Sequence, residues 1–207
     1  MLEQLLPLAA ECSVIVARGH DGTTVHLPAQ WNLHRGGILA VTQAGMGVLE
    51  PALEAQAIEA ARAIAEGLRY VGVLCVEFFV LEDGSLVVNE MAPRPHNSGH
   101  YSIDACDCSQ FELQVRALAG LPLVQPRQHS PAVMLNLLGD LWLAGGREAT
   151  PPWADVLALP GIQLHLYGKL SARPGRKMGH LTVIGDSAAA VRATALQAAQ
   201  RLGMEPF

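Results

Sequence analysis

Two carboxylates stand where the surrounding sequence calls for apolar side chains. Glu77 interrupts the run GVLCVEFFV, and Glu90 lies at the end of SLVVNEM. An isolated carboxylate in such a strand carries a large desolvation cost unless it is paired or bound to a metal. Two acids on adjacent strands can point to one face and share a hard cation, and oxygen ligands suit Mg²⁺ bridging nucleotide phosphates. Pairing with arginine accounts for the same two residues, and Arg94 is available for it.

The run from Asn89 to His100, NEMAPRPHNSGH, concentrates Glu90, Arg94, His96, Asn97 and His100. Arginine makes forked contacts with phosphate or carboxylate oxygens. Asparagine and histidine offer neutral donors to a developing oxyanion. Gly99 lets backbone approach a ligand closely. A second cluster, Lys169, Arg173, Arg176 and Lys177, forms a local anion site in an otherwise acidic chain, and a phosphate monoester fits it. Nucleic acid is disfavoured, because no aromatic residues interleave with these charges. Cys106 and Cys108, with His96 and His100 nearby, raise zinc as an option. The C-x-C spacing and the lack of a second CxxC pair argue against it.

Regular elements must hold these groups. Cys12–Arg18 reads as a β-branched strand, Asp21-Gly22 as a hairpin turn and Thr23–Leu27 as the returning strand. The stretch from Trp31 to Gly47 is rich in Gly, Asn, Gln and His and reads as a loop over a site. Pro51 opens a helix with apolar residues at helical spacing to Leu68. Val73–Leu81 and Ser85–Met91 form a hairpin around Glu82-Asp83-Gly84. Pro93 to Gly99 excludes regular structure. Ser109, with Glu112 three residues on, caps a helix to Ala119.

A new unit begins near Pro126, which divides the chain into residues 1–125 and 126–207. The second unit holds a strand at Ala132–Leu138, a loop at Ala144–Pro152, an antiparallel pair at Ile162–Tyr167 and His180–Ile184, and a helix from Ser187 to about Leu202.

The 207 residues are 50% hydrophobic and 16% charged, with a formal net charge of −5. That composition describes a packed globular chain with no global attraction to nucleic acid or an anionic membrane. Cys12 and Cys75 sit in apolar, strand-like runs and read as buried thiols. No apolar run reaches the roughly 18 residues a membrane span needs, and no signal peptide opens the chain, so a cytoplasmic setting is expected.

The motifs NEMAPRPHNSGH, SQFELQVRALAGLPL, VMLNLLGD and LHLYGK…RPGRKMGHL, in this order, resemble the N5-carboxyaminoimidazole ribonucleotide synthetases, ATP-grasp ligases of purine biosynthesis. The resemblance covers nearly the whole chain. It implies an α+β fold: an ATP-grasp C-terminal subdomain of antiparallel sheet with helices, then a small β-rich C-terminal domain. It further implies ATP and Mg²⁺ as cofactors, 5-aminoimidazole ribonucleotide and bicarbonate as substrates, and a homodimer. By the same resemblance Glu3, Gln4, Leu5 and Leu6 meet the adenine, Glu11 the ribose hydroxyls, and His34 the nucleotide. Asn89 and Glu90 contact phosphate and Mg²⁺, with Glu77 the other metal ligand. Arg94, His96, Asn97 and His100 form the carboxyphosphate and imidazole site. Lys169, Arg176 and Lys177 clamp the ribonucleotide phosphate.

The family's Rossmann-like domain and its small subdomain with a lysine and a glycine-rich loop do not precede Glu3. The segment Leu5-Leu6-Pro7-Leu8 also departs from the family's hinge. The chain therefore reads as a C-terminal portion with little turnover of its own. Two alternatives stay open: a non-catalytic module binding nucleotide or ribonucleotide phosphate, and another ATP-grasp ligase of purine biosynthesis.

Overall fold

The computed structural model describes residues 4–207 apart from 145 and 147. Among these, nine strands form one antiparallel sheet. They are β1 (Leu8–Arg18), β2 (Thr24–His26), β3 (Gln30–Arg35), β4 (Ile38–Ala44), β5 (Gly72–Leu81), β6 (Leu86–Ala92), β7 (Ala132–Leu138), β8 (Ile162–Leu166) and β9 (Lys177–Ile184). The order across the sheet is β6-β5-β1-β3-β4-β7-β9-β8, with β2 pairing β1. The helices are α1 (Pro51–Gly67), α2 (Ser102–Ala105), α3 (Gln110–Leu118), α4 (Asp140–Leu143), α5 (Trp153–Leu157) and α6 (Ala188–Arg201). No helix among the described residues is long and apolar enough to cross a membrane.

The period-two alternation of strand side chains sorts the sheet into two faces. Cys12, Val14 and Val16 of β1 pack on Ala57, Ala61 and Ala65 of α1. Val133, Leu135 and Leu137 of β7 pack on Val191, Ala195 and Ala198 of α6 on that same face. Ile15, Ala17 and Met134 point the other way, to Tyr101, Ala105 and Leu113 around α2 and α3. The expected helix caps form: the hydroxyls of Ser109 and Ser187 accept from the N–H groups of Glu112 and Ala190.

The expected loop from Trp31 to Gly47 is a hairpin over most of its length. Arg35 pairs Ile38 around Gly36-Gly37, both at positive φ (55° and 75°), which suits a two-residue turn twisted like its strands. Its polar residues misread as loop because they are buried strand residues: Asn32, Thr42 and Gln43 are all buried. The pairing of β4 with β7 carries the sheet past Pro126, so residues on both sides of that point share one sheet.

Candidate active site

Strand register decides which side chains meet. Glu90, Glu77, Ser13 and Gln30 stand directly opposite one another across β6, β5, β1 and β3. The next row joins Glu11, Asn32 and Thr42, and farther along Asn136, His180 and His165 line up across β7, β9 and β8. Opposed residues of antiparallel strands share a face, so one face carries a polar band in an otherwise apolar sheet.

The segment Pro93–His100 lies over this band. Its Asn97–Gly99 part forms a 3-10 turn capped by His96. Gly99 is needed for a close approach, but to the protein itself and not to a ligand. A Cβ there would sit 2.6 Å from Gln110 Oε1 and 2.9 Å from Ile15 Cγ1. Gln110, fully buried at the start of α3, holds the turn. Its Oε1 accepts from the His96 N–H (2.9 Å), and its Nε2 donates to the His96 carbonyl (2.7 Å) and to His100 Nδ1 (3.0 Å).

Glu77 is 7% exposed. Burial, then the neighbouring Glu90 and Glu11 carboxylates, push it up to about 7. Its partner is His96, with Nε2 3.1 Å from Oε1, and not Arg94, which is exposed and donates to the Pro95 carbonyl. Burial, followed by the charges of Lys177 and Arg94, lowers His96 to about 4. Burial and Lys177 lower His100 to about 4. Both imidazoles are therefore neutral donors or acceptors at neutral pH. Asn97 is buried with its Nδ2 unpartnered, a donor aimed at no protein acceptor.

The remaining expected residues fall at both ends of this row. Glu11 Oε2 lies 2.5 Å from His34 Nδ1, so the two nucleotide candidates touch. Asn89 and Glu90 are exposed on the edge strand β6. Gln4, Leu5 and Leu6 precede β1, Leu5 fully exposed, and Pro7 accepts from Glu82 N–H at the β5–β6 turn. Glu3 lies outside the described residues.

The basic loop reaches the same site. Lys177 is half-buried and lowered from its usual range by burial and by Arg94, against the opposing pull of Glu77. Arg176 donates to the Ser171 carbonyl at 2.8 Å, and Lys169 to the Lys177 carbonyl. Gly139 makes the loop's close approach possible, since a Cβ would fall 2.2 Å from the Arg173 carbonyl oxygen. Asp140 accepts from the Gly175 N–H at 2.7 Å.

Two clusters test the metal options. Cys75, Glu77 and His96 converge, but burial raises the Cys75 thiol, which keeps it protonated and a poor ligand. Asp104, His165 and His180 also converge, yet the two imidazoles are stacked at 12° and 4.5 Å. Parallel rings cannot aim two in-plane lone pairs at one ion. Oxygen donors from Glu77 and Glu90 fit Mg²⁺ better than either set. Cys106 and Cys108 are free and buried.

Sequence reasoning missed Gln110, Asp104, His165, Tyr167 and His180. His165 Nε2 lies 2.9 Å from Asp104 Oδ2, and the Tyr167 hydroxyl 2.9 Å from His180 Nδ1. The signal was present for His180, a polar residue in the apolar run MGHLTVI, just as it was for Glu77.

Residues 1–111 match the ATP-grasp domain model, and residues 132–194 match the phosphoribosylaminoimidazole carboxylase C-terminal domain. The chain belongs to the ATP-grasp family. The edge hairpin that bears Glu77 and Glu90 and the His96–His100 turn both lie inside the ATP-grasp match. The N5-carboxyaminoimidazole ribonucleotide synthase of Brucella melitensis is 46% identical over 188 residues, covering 89% of this chain and 48% of that protein. The synthase of Escherichia coli is 42% identical, covering 94% and 51%. The crystal structure of N5-carboxyaminoimidazole ribonucleotide synthetase from Thermus thermophilus superposes with a TM-score of 0.89 at 38% identity, covering 99% of this chain and 54% of that one. The Aspergillus clavatus synthase in complex with ADP and 5-aminoimidazole ribonucleotide gives 0.84 at 30% identity, covering 96% and 53%. This ATP-grasp chain thus spans about half the length of the curated relatives it matches.

Proposed function

We propose that this chain supplies the metal, phosphate and ribonucleotide contacts for ATP-dependent carboxylation of 5-aminoimidazole ribonucleotide. Bicarbonate oxygen attacks the γ-phosphorus of ATP, ADP leaves, and carboxyphosphate forms. The exocyclic amine then bonds to the carboxyl carbon, or to the CO2 it releases, and phosphate departs with loss of a proton from nitrogen. The products are N5-carboxyaminoimidazole ribonucleotide, ADP and phosphate.

One observation carries this reading. Glu77 and Glu90 stand opposite each other on one sheet face, and Lys177 reaches the same electrostatic neighbourhood from the basic loop. Mg²⁺ held by Glu77 and Glu90 supplies neutralisation of charge on the transferred phosphoryl group. Glu11 and His34 take the nucleotide's ribose and phosphate side, and Gln4, Leu5 and Leu6 the adenine; the first residue of that hinge, Glu3, is assigned by sequence alone. Asn89 takes phosphate. Arg94, Asn97 and the neutral His100 face carboxyphosphate, where neutral donors and one cation stabilise anionic oxygens, and His96, whose ring nitrogens meet Glu77 and Ser98, braces the site through Glu77. Lys169, Arg176 and Lys177 take the ribonucleotide phosphate. Four buried, reduced cysteines support a cytoplasmic setting, and the net charge of −5 supports the absence of a nucleic-acid partner. A homodimer rests on the resemblance alone.

Titration calorimetry on the chain tests the reading. Aminoimidazole ribonucleotide is expected to bind through its phosphate, with at least about tenfold weakening in Lys177→Ala and Arg176→Ala. MgADP binding is expected to fail in Glu77→Gln. Binding that survives all three changes would refute the assignment. Release of ADP that depends on the ribonucleotide separates a ligase from a module that only binds.

A further inference from the structure

A chain of hydrogen bonds crosses the polar face and ends on Glu77. Thr42 Oγ1 lies 3.0 Å from Asn32 Oδ1, and Asn32 Nδ2 lies 2.8 Å from Ser13 Oγ. Ser13 Oγ is 2.9 Å from Ser98 Oγ, which is 2.9 Å from His96 Nδ1. His96 Nε2 then meets Glu77 Oε1 at 3.1 Å. Thr42, Asn32, Ser13 and Ser98 are all buried, so water does not compete for these protons.

Each hydroxyl has a single proton, so the direction of one bond constrains the next. The Asn32 carbonyl oxygen can only accept, so Thr42 donates to it and the Asn32 amide donates to Ser13. Ser13 is left to donate, its one proton shared between Ser98 Oγ at 2.9 Å and Gln30 Oε1 at 3.1 Å. Ser98 donates to His96 Nδ1, with Cys75 Sγ a weak partner at 3.8 Å. The opposite direction fails at one point. The main-chain N–H of Ser98 also faces His96 Nδ1, at 3.4 Å, and that group can only donate. Two donors on Nδ1 require its lone pair.

We propose that Ser98, Ser13 and Asn32 are positioning residues that hold His96 as its Nε2–H tautomer. The imidazole then donates to Oε1 of Glu77, whose carboxyl also meets that of Glu90. The functional meaning of this arrangement rests on the reading of Glu77 as a metal ligand; the tautomer does not. A donor on the rear of a ligating carboxylate orients it, as outer partners of metal sites do.

The test is ¹⁵N-histidine NMR on the chain at neutral pH without nucleotide or Mg²⁺, with the His96 signals identified from a His96→Gln spectrum. Nδ1 unprotonated and Nε2 protonated is the expected result. Ser98→Ala should shift the tautomer ratio by about tenfold, the worth of one hydrogen bond, and Ser13→Ala and Thr42→Val by progressively less. A purely structural role would lower stability and leave the ratio unchanged. An Nδ1–H tautomer in the unaltered chain, or an unshifted ratio in folded Ser98→Ala, overturns the proposal. Should Ser98→Ala not fold, the tautomer of the unaltered chain decides alone. Failure of Mg²⁺ to bind would sink the metal reading and leave the tautomer assignment standing.

Discussion

Replacing Gln110 by leucine removes the clamp on the His96–His100 turn without opening a cavity. Three hydrogen bonds are lost: the His96 N–H and carbonyl lose their side-chain partner, and His100 Nδ1 loses its donor. An unpaired buried polar group costs about 1–3 kcal/mol; the His96 carbonyl keeps the Gly99 N–H, so the part-buried His96 N–H and His100 Nδ1 are the two left unpaired, each at the low end, with the lost carbonyl bond adding about 0.5–1.5 kcal/mol. The expected destabilisation is about 2–4 kcal/mol. Denaturant unfolding should show it as a lower midpoint at unchanged slope. At this chain length the melting temperature should fall by about 5–15 °C. The turn also positions His96 and Asn97, so ligand binding at the site should weaken in the variant that remains folded. A loss below about 0.5 kcal/mol would refute the clamp, since it would mean that water replaces all three bonds.

Acid stability follows from the histidines. Burial holds His96, His100 and His180 neutral, at about 4, about 4 and about 3, so the unfolded chain binds protons that the folded chain refuses. Stability is therefore lost as pH falls from about 6.5 toward 4. Glu77, raised to about 7, acts oppositely, binding a proton that the unfolded chain has released above pH 4.5. Unfolding near pH 5.5 should take up about two protons net, measured from the slope of stability against pH; a slope of zero or opposite sign would contradict the assignment. Mg²⁺ binding should release a proton from Glu77 at pH 6 and almost none at pH 8.5, which calorimetry in buffers of different ionisation enthalpy would register. Gly139→Ala forces a Cβ into the Arg173 carbonyl and should cost about 1–3 kcal/mol while loosening ribonucleotide phosphate binding. Unchanged affinity would show that the close approach does not shape the anion site.

Much of the architecture was legible because one feature repeated. Ala132–Leu138, the β5–β6 hairpin, α1 and the caps at Ser109 and Ser187 each follow local rules of periodicity and capping that the tertiary fold did not override. The β3–β4 hairpin was hidden because its strands carry Gln30, Asn32, Thr42 and Gln43, whose types signal loop when their partners are unknown. The burial of Gln30, Asn32 and Thr42 is supportable only because the facing strands satisfy them, and that information is non-local. The site splits the same way. Glu77 and Glu90 declared themselves as charges in apolar strands. His180 and Ser13 are the same anomaly in weaker form, and only the register joined them to the others.

The direction of the perturbations gives the site its logic. Burial pushes Glu77 toward its protonated form, and His96, His100 and Lys177 toward their deprotonated forms, so these four groups are drawn to neutrality. The cost of desolvating these groups has been met by the fold before any ligand arrives. A cation at Glu77 restores its charge, and an anionic phosphate near Lys177 restores that one. The cation would relieve the repulsion of Glu77 by Glu90 and Glu11, the anion that of Lys177 by Arg94 and Lys169, and the two opposite ligand charges attract one another. On the proposed assignment metal and phosphate couple through shared electrostatics, and the coupling must be reciprocal in the two binding free energies.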